Sequence, residues 1–302
     1  MNQSVRKFLL SSCAVASCYG VFGQYDPEAS VNPNSLFNIP VYEQVYKVRV
    51  WRDMLLTEKQ NKGFFARGNE MTRVLIEAIK SGEINKIYKN DSLSDKSVFT
   101  KEEFMQSMQM RASQAFPAWD ANASYIVTDR VAYNGKDYEA TQDNTGQLPD
   151  APPPNDYWQP TTAGQAVEFT WTDMFKLELM EDIIFDKRRS RLYYDIQGVR
   201  IWAWDENGQF FKPLGWLKYK DMEKVFRAHP EKSIWFNRQN TAQNRNFADA
   251  FLLRLFHATI KMVENPDAME LQGFYTNYKD AVMAREWEEM KLMEKEHNLW
   301  EY

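Results

Sequence analysis

The chain has 302 residues, a formal charge of −5, 44% hydrophobic and 15% aromatic side chains. This is enough apolar material for one domain with an inserted module or for two domains, and the acidic balance argues against nucleic acid as a partner. The histidines His229, His257 and His297 lie far apart and belong to no His-Glu-x-x-His motif. There is also no Gly-x-Ser-x-Gly elbow and no phosphate-cradling glycine loop, so no catalytic residue, metal or cofactor is expected.

Residues 1–23 read as a secretory signal, with Arg6 and Lys7 as the charged start and Phe8 to Val15 as an apolar stretch too short to span a bilayer. Cleavage is expected after Gly23; lipidation at Cys18 is the alternative. Cys13 and Cys18 both lie in this segment, so a chain cut there has no thiol for a disulfide, and its charge becomes about −7. Residues 24–40, broken by Pro27, Pro33 and Pro40, predict an extended arm that stays mobile until a partner orders it.

Val74, Leu75, Ala78 and Ile79 recur at helical spacing between Glu70 and Lys80, with Gly82 placed as a left-handed cap. Thr100 and Glu103 form a capping box ahead of Phe104, Met105 and Met108. Residues 116–163 then change in texture. Asn134-Gly135 is a strong hairpin turn, Val131 and Tyr133 face Tyr138 and Ala140 across it, and Pro117 and the Pro149–Pro154 run bracket the segment. A small all-β inserted module is expected here.

Val167 to Leu179 fits either a strand or a helix. From Ile183 to Ile196, apolar and aromatic runs flank Lys187, Arg188, Arg189 and Arg191, predicting a β-hairpin whose turn is held in water by charge. Arg200 to Trp216 predicts two further strands around the turn Asp205-Glu206-Asn207-Gly208. Its aromatics Trp202, Trp204, Phe210, Phe211 and Trp216 read as packing under helices, the other reading being an exposed platform.

Phe247 to Val263 predicts a helix with Phe251, Leu255, Ala258, Thr259 and Met262 on one face, ended by Asn265-Pro266. Tyr278 to Asn298 predicts a second, with Met283, Trp287, Met290 and Met293 on one side and charges on the other. Such stripes ordinarily face a core; methionines on a terminal helix also suit a docking face, because they repack readily. The sum is an α+β fold, with helices packed on an antiparallel sheet and a small all-β insertion.

Several stretches, in order, resemble the GldN/PorN family of the type IX secretion and gliding machinery of Bacteroidetes. They are Val45 to Met54, Asn61-Lys62-Gly63-Phe64-Phe65, Ile183 to Ile196, and Phe236-Asn237 with Asn240, Ala242-Gln243, Phe247, Asp249, Phe251, Arg254 and Phe256. The closing Trp300-Glu301-Tyr302 completes the series, and Arg238 stands where the family carries proline. The resemblance implies a family domain in two parts, 41–115 and 164–302. It further implies a non-catalytic periplasmic component, joined to the outer membrane through a GldK/PorK-like lipoprotein, homo-oligomeric in a ring, and touching a GldM/PorM-like motor component. Trp287, Met290, Met293 and Trp300 are the candidate partner-binding residues.

The inserted segment resembles the small modules of chitinase-type carbohydrate-binding families. Trp119, Tyr133, Tyr138 and Trp158 are accordingly the candidate glycan-binding residues, and a periplasmic glycan-binding protein is the alternative function. Those modules carry adjacent exposed tryptophans where this chain has Thr141-Gln142-Asp143, and the four aromatics match positions that normally build the module core.

Overall fold

The β-favouring residues Val45, Tyr46, Val48, Val50 and Trp51 build the first strand, β1 (Gln44–Leu55). The computed structural model describes residues 30–110, 116–152, 155–161, 168–206 and 209–299. The expected signal segment with Cys18, part of the arm, Val167, Asn207-Gly208 and Trp300 lie outside these residues. Four more strands complete an antiparallel sheet: β2 (Lys176–Asp186), β3 (Arg191–Asp205), β4 (Phe210–Lys218) and β5 (Thr259–Val263). Their order is β4-β3-β2-β1-β5.

The central strand β2 is buried from Leu177 to Asp186. Its period of two divides the sheet into unlike faces: Leu177, Leu179, Ile183 and Phe185 point one way, and Glu178, Met180, Asp182 and Asp186 the other. The apolar face carries the main core. There Met54, Leu179, Val199 and Ile201 pack with helices α1 (Met71–Ser81), α2 (Lys101–Ser107), α3 (Tyr219–Ala228) and α4 (Phe247–Leu252). Helix α1 buries Val74, Leu75, Ala78 and Ile79 and ends at Gly82 with φ 87°, as its spacing predicts. The capping box of Thr100 and Glu103 opens α2.

The charged hairpin forms as expected, with Asp186 opposite Arg191. Its turn is closed from inside. Asp186 is buried and accepts the backbone N–H groups of Arg188 (2.9 Å) and Arg189 (3.2 Å), while the Arg189 guanidinium donates to its other oxygen at 2.6 Å.

Two expectations change, and one segment left open is settled. The helix over Phe247–Val263 stops after Leu252, because Arg254 adopts φ 51°, and residues 259–263 leave as β5 to pair with β1. The open edge of β1 supplies backbone partners that a continued helix would forgo, and Lys261 is the extra residue of a bulge. The segment before Leu179 resolves as strand from Lys176. The described part of the arm, 30–40, is docked rather than free. Leu36 N–H donates to Asp195 Oδ1 at 3.1 Å, Asn32 Nδ2 donates to Gln197 Oε1 at 2.7 Å, and Phe37 lies 4.9 Å from the Tyr193 ring.

In the inserted segment, residues 130–133, 136–140 and 158–161 form a three-stranded antiparallel sheet, and residues 124–125 pair with 144–145. Asn134 and Gly135 both have positive φ, as a two-residue hairpin turn requires. Tyr125, Val131, Tyr138, Ala140 and Trp158 make a separate cluster. The chain departs at Gln109 and returns at Glu168, and these two residues form a β-bridge.

Candidate interaction surfaces

Helices α5 (Leu271–Phe274) and α6 (Tyr278–Leu299) close the β5 side of the sheet. Small residues let α6 approach closely: Ala281 and Ala284 are buried, and Leu292 packs on Val50, Ile183, Ile260 and Leu271. A chain of charges fastens it. Arg254 donates to the wholly buried Glu181 at 2.8 Å, Arg52 approaches Glu181 at 3.3 Å, and Arg52 also holds Glu289 of α6.

At 100° per residue, Met283, Trp287, Met290 and Met293 fall on the side of α6 opposite Ala281, Ala284 and Leu292. They are 56–62% exposed. Of the predicted partner-binding residues, the structure therefore brings Trp287, Met290 and Met293 onto one outward face, and the core-facing reading of the stripe does not hold. Phe274, Tyr275 and Tyr278, just before this stripe, are exposed too. Scattered exposed apolar residues need no explanation, and these are instead concentrated along one side of the helix and the segment before it.

The glycan candidates behave otherwise. Tyr138 and Trp158 are buried; the Trp158 indole donates to Gln147 O at 2.9 Å, and the Tyr138 hydroxyl donates to Asp150 at 3.1 Å. Their faces are closed to a sugar because the module needs them for its core. Trp119 and Tyr133 pack edge to face at 5.4 Å against that same core.

Two features escape sequence reasoning. Asn61, in one of the quoted motifs, is wholly buried and joins three segments: its amide donates to Leu55 O and His257 O, both at 2.8 Å, and its carbonyl accepts from His257 N–H at 2.8 Å. The second is the polar face of the sheet, whose signal is the alternation Glu178, Met180, Asp182, Ile184, Asp186. Glu178 there accepts from Arg200, Lys261 and Trp202. Burial raises its carboxyl, but the charges of Arg200 and Lys261 prevail and hold it below the usual range.

Among the described residues no group of His, Cys, Asp or Glu could hold a metal ion, and no helix is long and apolar enough to cross a membrane. Residues 39–301 match the family described as Gliding motility associated protein GldN. No curated protein matches the chain.

Proposed function

The chain belongs to the GldN family of gliding-motility-associated proteins, and from that premise we propose that it is a non-catalytic structural component of the type IX secretion and gliding machinery, acting in the periplasm. In this reading it is exported by its N-terminal segment, assembles into a ring with a GldK/PorK-like outer-membrane lipoprotein, and meets a GldM/PorM-like motor component. The observation that carries it is the outward stripe of Met283, Trp287, Met290 and Met293. A helix that buries alanines on one side and offers a tryptophan and three methionines on the other is built to lie between two bodies, and flexible methionines conform to a partner's contours.

The test is recovery of the lipoprotein with the tagged protein from an outer-membrane fraction. Replacing Trp287 and Met290 together by alanine should lower recovery about tenfold or more, since an aromatic anchor carries a large share of interface energy. The purified variant should unfold at the wild-type temperature. Undiminished recovery removes the stripe from the interface, and turnover of a glycan abolished by one carboxylate substitution overturns the non-catalytic reading.

A further inference from the structure

One part of the surface carries positive charge that no acid answers. The segment after β1 and the segment after α3 face each other across a cleft of about 620 Å³, within the range of small-ligand pockets. Lys59, Lys62 and Arg67 line it from the first, and Arg238 from the second. All four are exposed, and none forms an ion pair among the described residues. No carboxylate lines the cleft. Those closest in sequence are engaged elsewhere: Glu58 pairs with His257 at 2.9 Å, and the buried Glu70 accepts the Gly68 N–H at 2.8 Å. In a chain of formal charge −5, four unanswered cations around one concavity focus a positive potential there.

The walls are held by contacts that do not involve these cations. Phe236 N–H donates to Gly63 O at 2.9 Å, and Trp235 lies so close on Gly63 that a Cβ there would come within 2.4 Å of its Nε1. Glycine at 63 therefore sets the approach of the two segments. Asn237 builds the turn around Arg238: its Oδ1 accepts from Gln239 N–H (3.0 Å) and Asn240 N–H (3.2 Å), and its own N–H donates to Asn244 Oδ1 at 2.9 Å. None of these bonds uses Arg238, so the turn does not require a cation at that position.

The lining also indicates what kind of anion fits. A single carboxylate would engage one or two of the four cations, whereas a phosphate dianion, with three acceptor oxygens, engages more of them. Phe65, Ala66 and Phe236 add apolar surface; Phe236 is 41% exposed, and Lys62 Nζ stands 5.9 Å from the Phe65 ring centre. The space beyond the phosphate, walled by aromatic rings, suits an apolar body that carries it.

We propose that this cleft binds a phosphate monoester with an apolar body, either as a free ester or as a lipid headgroup, and that Lys62, Arg67 and Arg238 hold the phosphate oxygens. Isothermal titration of the whole protein with phenyl phosphate should give a saturable midpoint of about 0.1–5 mM, about fivefold or more below those of inorganic phosphate and benzoate. Arg67→Gln combined with Arg238→Gln should raise that midpoint about tenfold or more, with thermal unfolding as in wild type because both positions are exposed. Lys96→Gln, which removes an exposed cation elsewhere, should leave it unchanged. Vesicles of phosphatidylcholine with and without phosphatidic acid distinguish the sources. Sedimentation with the acidic vesicles, reversed by phenyl phosphate, assigns the headgroup; phenyl phosphate binding without sedimentation assigns a free ester. Absence of saturable binding, an equal midpoint for benzoate, or a midpoint that the double variant leaves unchanged or Lys96→Gln raises as much overturns the proposal. The benzoate comparison decides the matter whatever the stability of the variants.

Discussion

Asp195 shows how one buried acid both docks a segment and makes stability depend on pH. It is wholly buried beside Asp182 of the neighbouring strand, and Asp182 takes the cations Arg49 (2.6 Å) and Lys47 (3.0 Å). Burial pushes the Asp195 carboxyl up to about 6, against hydrogen bonds from Ser35, Leu36 and Gln197. Because this lies above the unfolded value of about 3.9, the protonated form favours the fold: the contribution is full below about pH 4 and is lost as pH rises through 6. Asp195→Asn keeps an acceptor for Leu36 without the charge. It should gain about 1–2 kcal/mol at pH 7.5 and flatten the difference between pH 5 and 7.5 in urea unfolding; a variant weaker than wild type at pH 7.5 would refute this. Asn61→Ala should cost about 2 kcal/mol by the same measurement, since it takes their side-chain partner from the His257 N–H and carbonyl, while Leu55 O keeps the Glu58 N–H at 3.2 Å. The prolines mark residues 30–40 as non-helical, but nothing local reveals that the arm is tied down, because its anchor lies some 160 residues away.

Among the elements, α6 is the most legible in extent and the least legible in orientation. Its run from Tyr278 is plain in the periodicity. Both sides are apolar, however, and small alanines rather than the large residues proved to be the inner side. The error over Phe247–Val263 has a related cause: the face read at helical spacing, Phe251, Leu255, Ala258, Thr259 and Met262, runs into the β-branched residues Thr259, Ile260 and Val263, and the exposed edge of β1 decided in favour of a strand. Two outcomes separate the faces of α6. Arg52→Met leaves Glu181 buried with one cation and releases Glu289; it should cost about 3–5 kcal/mol and speed hydrogen exchange along α6. Trp287→Ala should change stability by less than about 0.5 kcal/mol. Equal losses from both would place Trp287 in the core.

At the level of the whole molecule, the proposed division into 41–115, 116–163 and 164–302 makes the insertion removable. Gln109 and Glu168 are already bridged, and Phe169 N–H donates to Met108 O at 2.8 Å, so a short Gly/Ser link can replace residues 116–163 without stretching the host. The shortened protein should unfold cooperatively and still recover the lipoprotein proposed as its partner; folding with loss of that recovery would make the module itself an assembly surface. The sheet order carries one more consequence, concerning time. β1 emerges early from any source that delivers the chain N-terminus first, yet its outer neighbour β5 begins only at Thr259. For that whole interval β1 presents a bare edge to every other chain nearby, while the module, whose pairings all fall within residues 124–161, can already be finished. Newly made copies should therefore be most prone to mispairing just before Thr259–Val263 arrives, and a holding chaperone would be needed for that edge rather than for the insertion.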